Sequence, residues 1–201
     1  IGPAIIRFDD AGTLPYKFVN LSSVIKSYLD DIKESLETMR EKTIETNKEI
    51  DEGIFEAIAD PRDYSLSSPK REDVPPNLNF ATLENAITHL EASAKICDDL
   101  INTFSESGKT VPEEINKKLI QTERRLILHE GLPDRSWYKH QIYAPGFYTG
   151  YGVKTLPAVR ESIELKQWND ADKNIVAVAK VIEDFSNYLD SISNELKSNT
   201  K

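Results

Sequence analysis

Two stretches of eight apolar residues, each spaced in alternating steps of three and four, constrain this chain more than anything else in it. Phe80, Leu83, Ile87, Leu90, Ala94, Cys97, Ile101 and Phe104 form the first, and Ala171, Ile175, Val178, Ile182, Phe185, Leu189, Ile192 and Leu196 the second. Such spacing gathers the apolar side chains on one helical face, which has to be covered by another helix. Two weaker stripes accompany them. From Tyr16 to Glu52 there is neither glycine nor proline, and Leu21, Ile25, Tyr28, Ile32, Leu36 and Met39 share a face, with Asn20 as the candidate cap. Thr110-Val111-Pro112-Glu113 reads as a capping box opening a third helix through Ile115, Leu119, Thr122 and Leu126, with His129 in its last turn and Gly131 as its C-cap.

These patterns predict an all-α fold, an up-and-down four-helix bundle with a long ordered loop between helices three and four. Burying large seam residues stabilises by about 1.5 to 3 kcal/mol each, an upper estimate, so two seams suffice for a core. The same heptads would serve an intermolecular coiled coil, but glycine- and proline-marked turns between the helices favour an intrachain bundle. Between helices one and two, Asp60 to Asn79 holds Pro61, Pro69, Pro75 and Pro76 and reads as an exposed connection. Ile5, Ile6 and Phe8 read as a short strand without a partner, so residues 1–19 are expected to be an extended remnant of an upstream domain and residues 20–201 the helical domain.

A net charge of −9, spread over helix faces, makes nucleic acid an unexpected partner. No apolar run reaches the roughly 18 to 20 residues of a membrane span, and membrane contact by this chain is not expected. Cys97 lies in a seam beside Asp98 and Asp99, which predicts an inert core thiol. His89, one step off that seam, reads as a boundary residue. Asn20-Leu21-Ser22 is a glycosylation sequon usable in a secretory lumen, although the helix cap is the preferred reading of Asn20.

Leu132 to Pro157 has almost no helical period. It holds six of the seventeen aromatics (Trp137, Tyr138, Tyr143, Phe147, Tyr148 and Tyr151), with Gly146, Gly150, Gly152, Pro133, Pro145 and Pro157. A solvated linker is polar and poor in aromatics, so this composition describes a packed loop, and long ordered loops are commonly functional. Its buried carbonyls need donors, and Arg135, His140, Trp137 and the tyrosine hydroxyls are suitable. No clustered zinc ligands, nucleophile elbow, P-loop or dinucleotide fingerprint is present, and the paired carboxylates lie on solvated helix faces. By its residues the chain is not an enzyme on its own.

Leu132-Pro133-Asp134-Arg135, Trp137-Tyr138-Lys139-His140 and Ile142-Tyr143-Ala144-Pro145 resemble the C-terminal helical domain of the transferrin receptor and glutamate carboxypeptidase II family. Arg7-Phe8-Asp9, Glu123-Arg124 and the proline-started helix after the loop extend the likeness over most of the chain. The resemblance implies a transferrin-receptor-like dimerisation domain that forms homodimers and follows a zinc-dependent peptidase domain of the same protein. Zinc and the catalytic glutamate would lie in that upstream domain, leaving this chain without catalytic or metal residues. It also implies a membrane-anchored parent with this domain on the lumenal or extracellular side, in the vacuolar or secretory pathway.

The resemblance further implies that the loop contacts a peptide substrate through Thr149, Gly150 and Tyr151. Where glutamate carboxypeptidase II has Asn-Lys-Tyr, this chain keeps the tyrosine and lacks the cation, so a glutamate side chain would lose a charge-assisted partner. Lys154 is the candidate replacement. The expected function is that of a non-catalytic dimerisation and substrate-loop domain of a zinc carboxypeptidase-like protein. The alternatives are a receptor or sorting module whose parent lacks peptidase activity, and a free-standing helical adaptor.

Overall fold

The computed structural model describes residues 14–58, 69–150 and 152–199. The expected strand at Ile5 to Phe8 lies outside them, as does Tyr151. The described part is mainly helical: α1 Phe18–Asp51, α2 Ile54–Ile58, α3 Ala81–Glu106, α4 Glu113–Ile120, a 3-10 turn Glu123–Leu126, α5 Pro157–Glu164 and α6 Trp168–Asn199. One antiparallel pair, β1 Tyr143–Pro145 and β2 Val153–Thr155, joins them, with Ala144 opposite Lys154. Two compact units result, one of residues up to Tyr28 with Asn79 onward, the other of Leu29 to Leu78.

The two sequence seams form the core of the larger unit. All eight residues of each are buried, and α3 packs along α6. His89 meets Glu183 and Asp190, and the groove beside them runs from Thr82 to His89 and from Val176 to Glu183. Both numbers rise together, so the two helices run in the same direction. Parallel neighbours cannot be joined by a tight turn, and α4, the 3-10 turn and the loop carry the chain back along α6.

Helix α1 starts at Phe18, and its cap comes from far along the chain. The buried Asp98 carboxylate accepts the Phe18 N–H at 3.1 Å and the Val19 N–H at 3.0 Å. Two of the otherwise orphaned N–H groups of a helix start are satisfied, and negative charge there suits the helix dipole. Asn20, expected as the cap, is instead an exposed residue of the first turn. The buried stripe is also rotated by about one residue from the expected one: Phe18, Ser22, Ile25, Leu29, Ile32 and Leu36 are buried, whereas Leu21 and Tyr28 are half-buried.

In the smaller unit, residues 69–78 of the proline-rich connection are described; most are exposed, Pro75 is buried, and the segment is tied down. The Asn47 amide bonds the backbone of Glu72 twice, at 2.7 and 3.1 Å, Arg40 donates to the Pro75 carbonyl, and Arg71 pairs with Asp51 at 2.5 Å.

The third helix is shorter than its apolar stripe predicts. Pro112 precedes it without any side-chain cap bond, so the expected capping box does not form, and α4 ends at Ile120. The reason lies in the backbone. Leu126 C=O accepts the Gln141 N–H at 2.9 Å and Leu128 N–H donates to Lys139 C=O at 2.9 Å, so this segment pairs with the loop and cannot continue a helical ladder. His129 and Gly131 therefore sit in a turn and not at a helix end. Gly131 has φ +76, and a Cβ there would lie 2.2 Å from the Ser136 carbonyl oxygen.

Candidate functional site

The segment between Leu126 and Pro157 is a built structure of turns, bridges and one hairpin. Its anchor is Arg135, 3% exposed. The guanidinium donates to the Pro145 carbonyl and to the carboxylate of Glu161 on α5, and lies 5.7 Å from the ring centres of both Tyr138 and Phe147. Glu161 Oε1 also accepts the Phe147 N–H at 2.8 Å. One buried ion pair thus ties the LPDR turn, the end of β1 and the start of the hairpin tip to α5. A charge-assisted pair that also satisfies backbone groups fixes geometry more firmly than apolar contact alone.

A second anchor is His140. Its Nδ1 accepts the Ile142 and Tyr143 N–H groups, both at 3.3 Å, so the ring proton resides on Nε2. The donor role expected of this histidine is therefore reversed on that nitrogen. Nε2 lies 3.1 Å from Glu123 Oε1 but is poorly aligned for a hydrogen bond, so the carboxylate acts on the ring through its charge. Burial pushes the His140 pKa down, against the opposing pull of Glu123. Tyr143 donates its hydroxyl to the same carboxylate, which raises the phenol to about 12, and its ring lies 4.2 Å from the His140 ring. Trp137, expected as a buried donor, is instead 71% exposed against Tyr138.

These anchors hold the hairpin so that the described residues of its tip, 147–150 and 152, are presented to solvent, while Gly146 is buried beneath them. Gly146 N–H donates to Gly152 C=O at 2.8 Å, and Gly152 N–H to Thr149 C=O at 3.1 Å. Phe147, Tyr148, Thr149 and Gly150 are exposed, with Gly150 at φ +59 in open space. Thr149 and Gly150, two of the residues expected to contact substrate, therefore lie together at the tip, and the third, Tyr151, falls outside the described residues.

Beside the tip is a concave space of about 340 Å³ lined by Thr149, Gly152, Val153, Lys154, Thr155 and Arg160. Lys154, the expected substitute cation, is clamped by both oxygens of Glu164 at 2.6 and 2.8 Å. Arg160 was not anticipated; it donates to the Thr155 carbonyl at 3.2 Å and hydroxyl at 2.9 Å while lining the same space. Glu161 and Glu164 were also missed. Their signal was a carboxylate pair one helical turn into a proline-started helix, facing a loop rich in cations.

The described residues bring together no group of three His, Cys, Asp or Glu side chains able to hold a metal. These residues do not fit a zinc centre. Cys97 is fully buried, and burial raises its thiol to about 12, the property of an inert core residue.

Comparison with known proteins agrees with this architecture. A family model described as the transferrin receptor-like dimerisation domain matches residues 78–190. Over 125 residues, 59% of this chain and 18% of the relative, the sequence is 30% identical to a probable glutamate carboxypeptidase of Arabidopsis thaliana. Over 91 residues, 44% of the chain and 12% of the relative, it is 32% identical to a probable glutamate carboxypeptidase of Arthroderma benhamiae. An inactive zinc metalloprotease of Schizosaccharomyces pombe is 26% identical over 111 residues, 53% of the chain and 14% of the relative. The chain thus spans less than a fifth of the length of these relatives. Since the family match covers more than half of its residues, from α3 through the loop and into α6 as far as Asp190, this chain belongs to the transferrin receptor-like dimerisation domain family.

Proposed function

We propose that the chain is the non-catalytic dimerisation and substrate-loop domain of a larger zinc-dependent carboxypeptidase-like protein. The observation that carries this reading is the Arg135–Glu161 pair, which fixes the hairpin on α5 and displays its tip outward. A fixed mount of this kind is what a ligand-contacting loop requires. In this proposal the tip forms one wall of a cleft whose zinc and catalytic glutamate belong to an upstream domain, and Thr149, Gly150 and Tyr151 meet the peptide substrate. Two copies associate through helical surface, with α1, α3, α4 and α6 as an up-and-down four-helix bundle. A groove of about 590 Å³ between α3 and α6, with Val176 exposed beside it, supports self-association. The parent is proposed to be membrane-anchored with this domain lumenal or extracellular.

The test uses the full-length parent. Thr149→Ala and Tyr151→Phe are expected to raise KM for a peptide substrate with zinc content and kcat little changed, the pattern of lost substrate binding. Gly150→Lys is expected to improve the relative kcat/KM for a C-terminal glutamate. Unchanged KM in all three variants refutes the substrate-loop role. Sedimentation of the parent tests the homodimer. The name of the fission-yeast relative, an inactive zinc metalloprotease, favours a second reading: an interaction module of a parent without peptidase activity. Absence of turnover in a zinc-loaded parent selects it.

A further inference from the structure

The sequon at Asn20-Leu21-Ser22 is not explained by helix capping. Asp98 caps α1, not Asn20. The Asn20 side chain is exposed and takes no hydrogen bond among the described residues, so neither packing nor capping accounts for it. We propose that Asn20 is an N-glycan acceptor, modified before α1 folds. This rests on the lumenal placement proposed above.

The two halves of the sequon have opposite fates in the fold, and that sets the timing. Modification requires the asparagine amide and the Ser22 hydroxyl to be reached together. In the folded chain Ser22 is 1% exposed and donates to the Val19 carbonyl at 2.9 Å, which closes the sequon. Before folding it is open, because the first turn of α1 depends on a carboxylate some 80 positions later in the chain. Without that acceptor the helix start keeps its orphaned N–H groups and frays. At about 5 to 20 residues per second of synthesis, the wait for Asp98 is roughly 4 to 16 s. The Asn20 side chain remains at the surface afterward, so a glycan attached during that window does not obstruct the final packing.

The step is balanced with an oligosaccharide carried on a polyprenyl diphosphate. Asn20 Nδ2 forms the bond to the sugar C1, the C1–O bond to the diphosphate breaks with its electron pair leaving on the diphosphate, and the amide proton passes to a base of the transferase. The glycan would extend from the first turn over the exposed Val19 and Val24, keeping that face out of any protein interface.

The full 201-residue chain, secreted behind a cleavable leader in eukaryotic cells, tests the assignment. An endoglycosidase is expected to produce one downward step in gel mobility, lost in Asn20→Gln and also in Ser22→Ala, which keeps the asparagine. Secreted, folded chain without that step overturns the acceptor assignment, as does a step surviving in Asn20→Gln. Purified unmodified chain exposed to the transferase is expected to stay unmodified while a peptide of residues 14–28 is glycosylated; modification of the folded chain overturns the timing. The full-length parent from its own cells separates the two readings. A modified leader-driven chain beside an unmodified natural parent overturns the lumenal placement and leaves the acceptor chemistry standing.

Discussion

Glu161→Gln is the perturbation that bears most directly on how the loop is held. The Arg135 side chain is 3% exposed and that of Glu161 15%, so neutralising the acid leaves a buried guanidinium without its counter-charge. Removing one member of such a pair costs about 3 to 5 kcal/mol. Part of the guanidinium environment survives, namely the Pro145 carbonyl and the faces of Tyr138 and Phe147, and glutamine retains one acceptor oxygen for the Phe147 N–H. The lower end, about 3 kcal/mol, is therefore expected. With a urea slope of about 2 kcal/mol per molar, the unfolding midpoint falls by about 1.5 M. Far-UV circular dichroism reads the helices, and amide hydrogen exchange at residues 135–147 reads the loop, which is expected to open first. The double variant Arg135→Met, Glu161→Leu leaves no unpaired charge but removes the partners of the Pro145 carbonyl and the Phe147 N–H, and is expected to lie about 1 to 2 kcal/mol below wild type, above the single variant. A loss below about 1 kcal/mol in Glu161→Gln, or a double variant no more stable than the single one, refutes the view that this pair is the loop's main anchor.

Asp98→Ala removes the acceptor of the Phe18 and Val19 N–H groups, and a loss of about 1 to 2 kcal/mol is expected in denaturant unfolding, with partial recovery in Asp98→Asn. His89 lies between Glu183 at 3.0 Å and Asp190 at 3.1 Å, and the hydrogen bond to Glu183 chiefly raises its pKa. Its contribution is thus fully present below the unfolded value of about 6.5 and lost as pH rises through the raised folded pKa; the stability gap between wild type and His89→Gln should shrink from pH 5.5 to pH 8.5. His140 has the opposite sign. Burial depresses its folded pKa, so its contribution is present above about 6.5 and lost as pH falls through the depressed value, which histidine NMR titration and a His140→Gln comparison would check. Gly131→Ala is expected to cost well over 1 kcal/mol, because φ is +76 and its Cβ would meet the Ser136 backbone. Gly108→Ala, at φ +69 with open space around it, isolates the backbone strain alone.

The seams were legible because each is a local, periodic pattern whose burial needs only one helical neighbour. All sixteen positions are buried as read, from Phe80 to Leu196. The aromatic, glycine- and proline-rich composition of residues 132–157 likewise announced order without a helix, since composition alone separates a packed loop from a solvated one. What the local pattern could not supply was any bond between distant residues. Ile115, Leu119, Thr122 and Leu126 carry a helical period, yet the backbone at Leu126 and Leu128 pairs with Gln141 and Lys139, and that long-range ladder ends the helix. Asn20 has the residue type of a cap, yet Asp98 takes the role from another helix. Lys154 had the charge for a ligand, yet Glu164 holds it, and the guanidinium of Arg160 is brought to the hairpin instead. The sequence by itself determined the two seam helices, the core they form and the existence of an ordered loop, because those follow from periodicity and composition along the chain. Tertiary structure alone decided which polar groups meet, because hydrogen bonds and ion pairs depend on distances that sequence spacing does not encode.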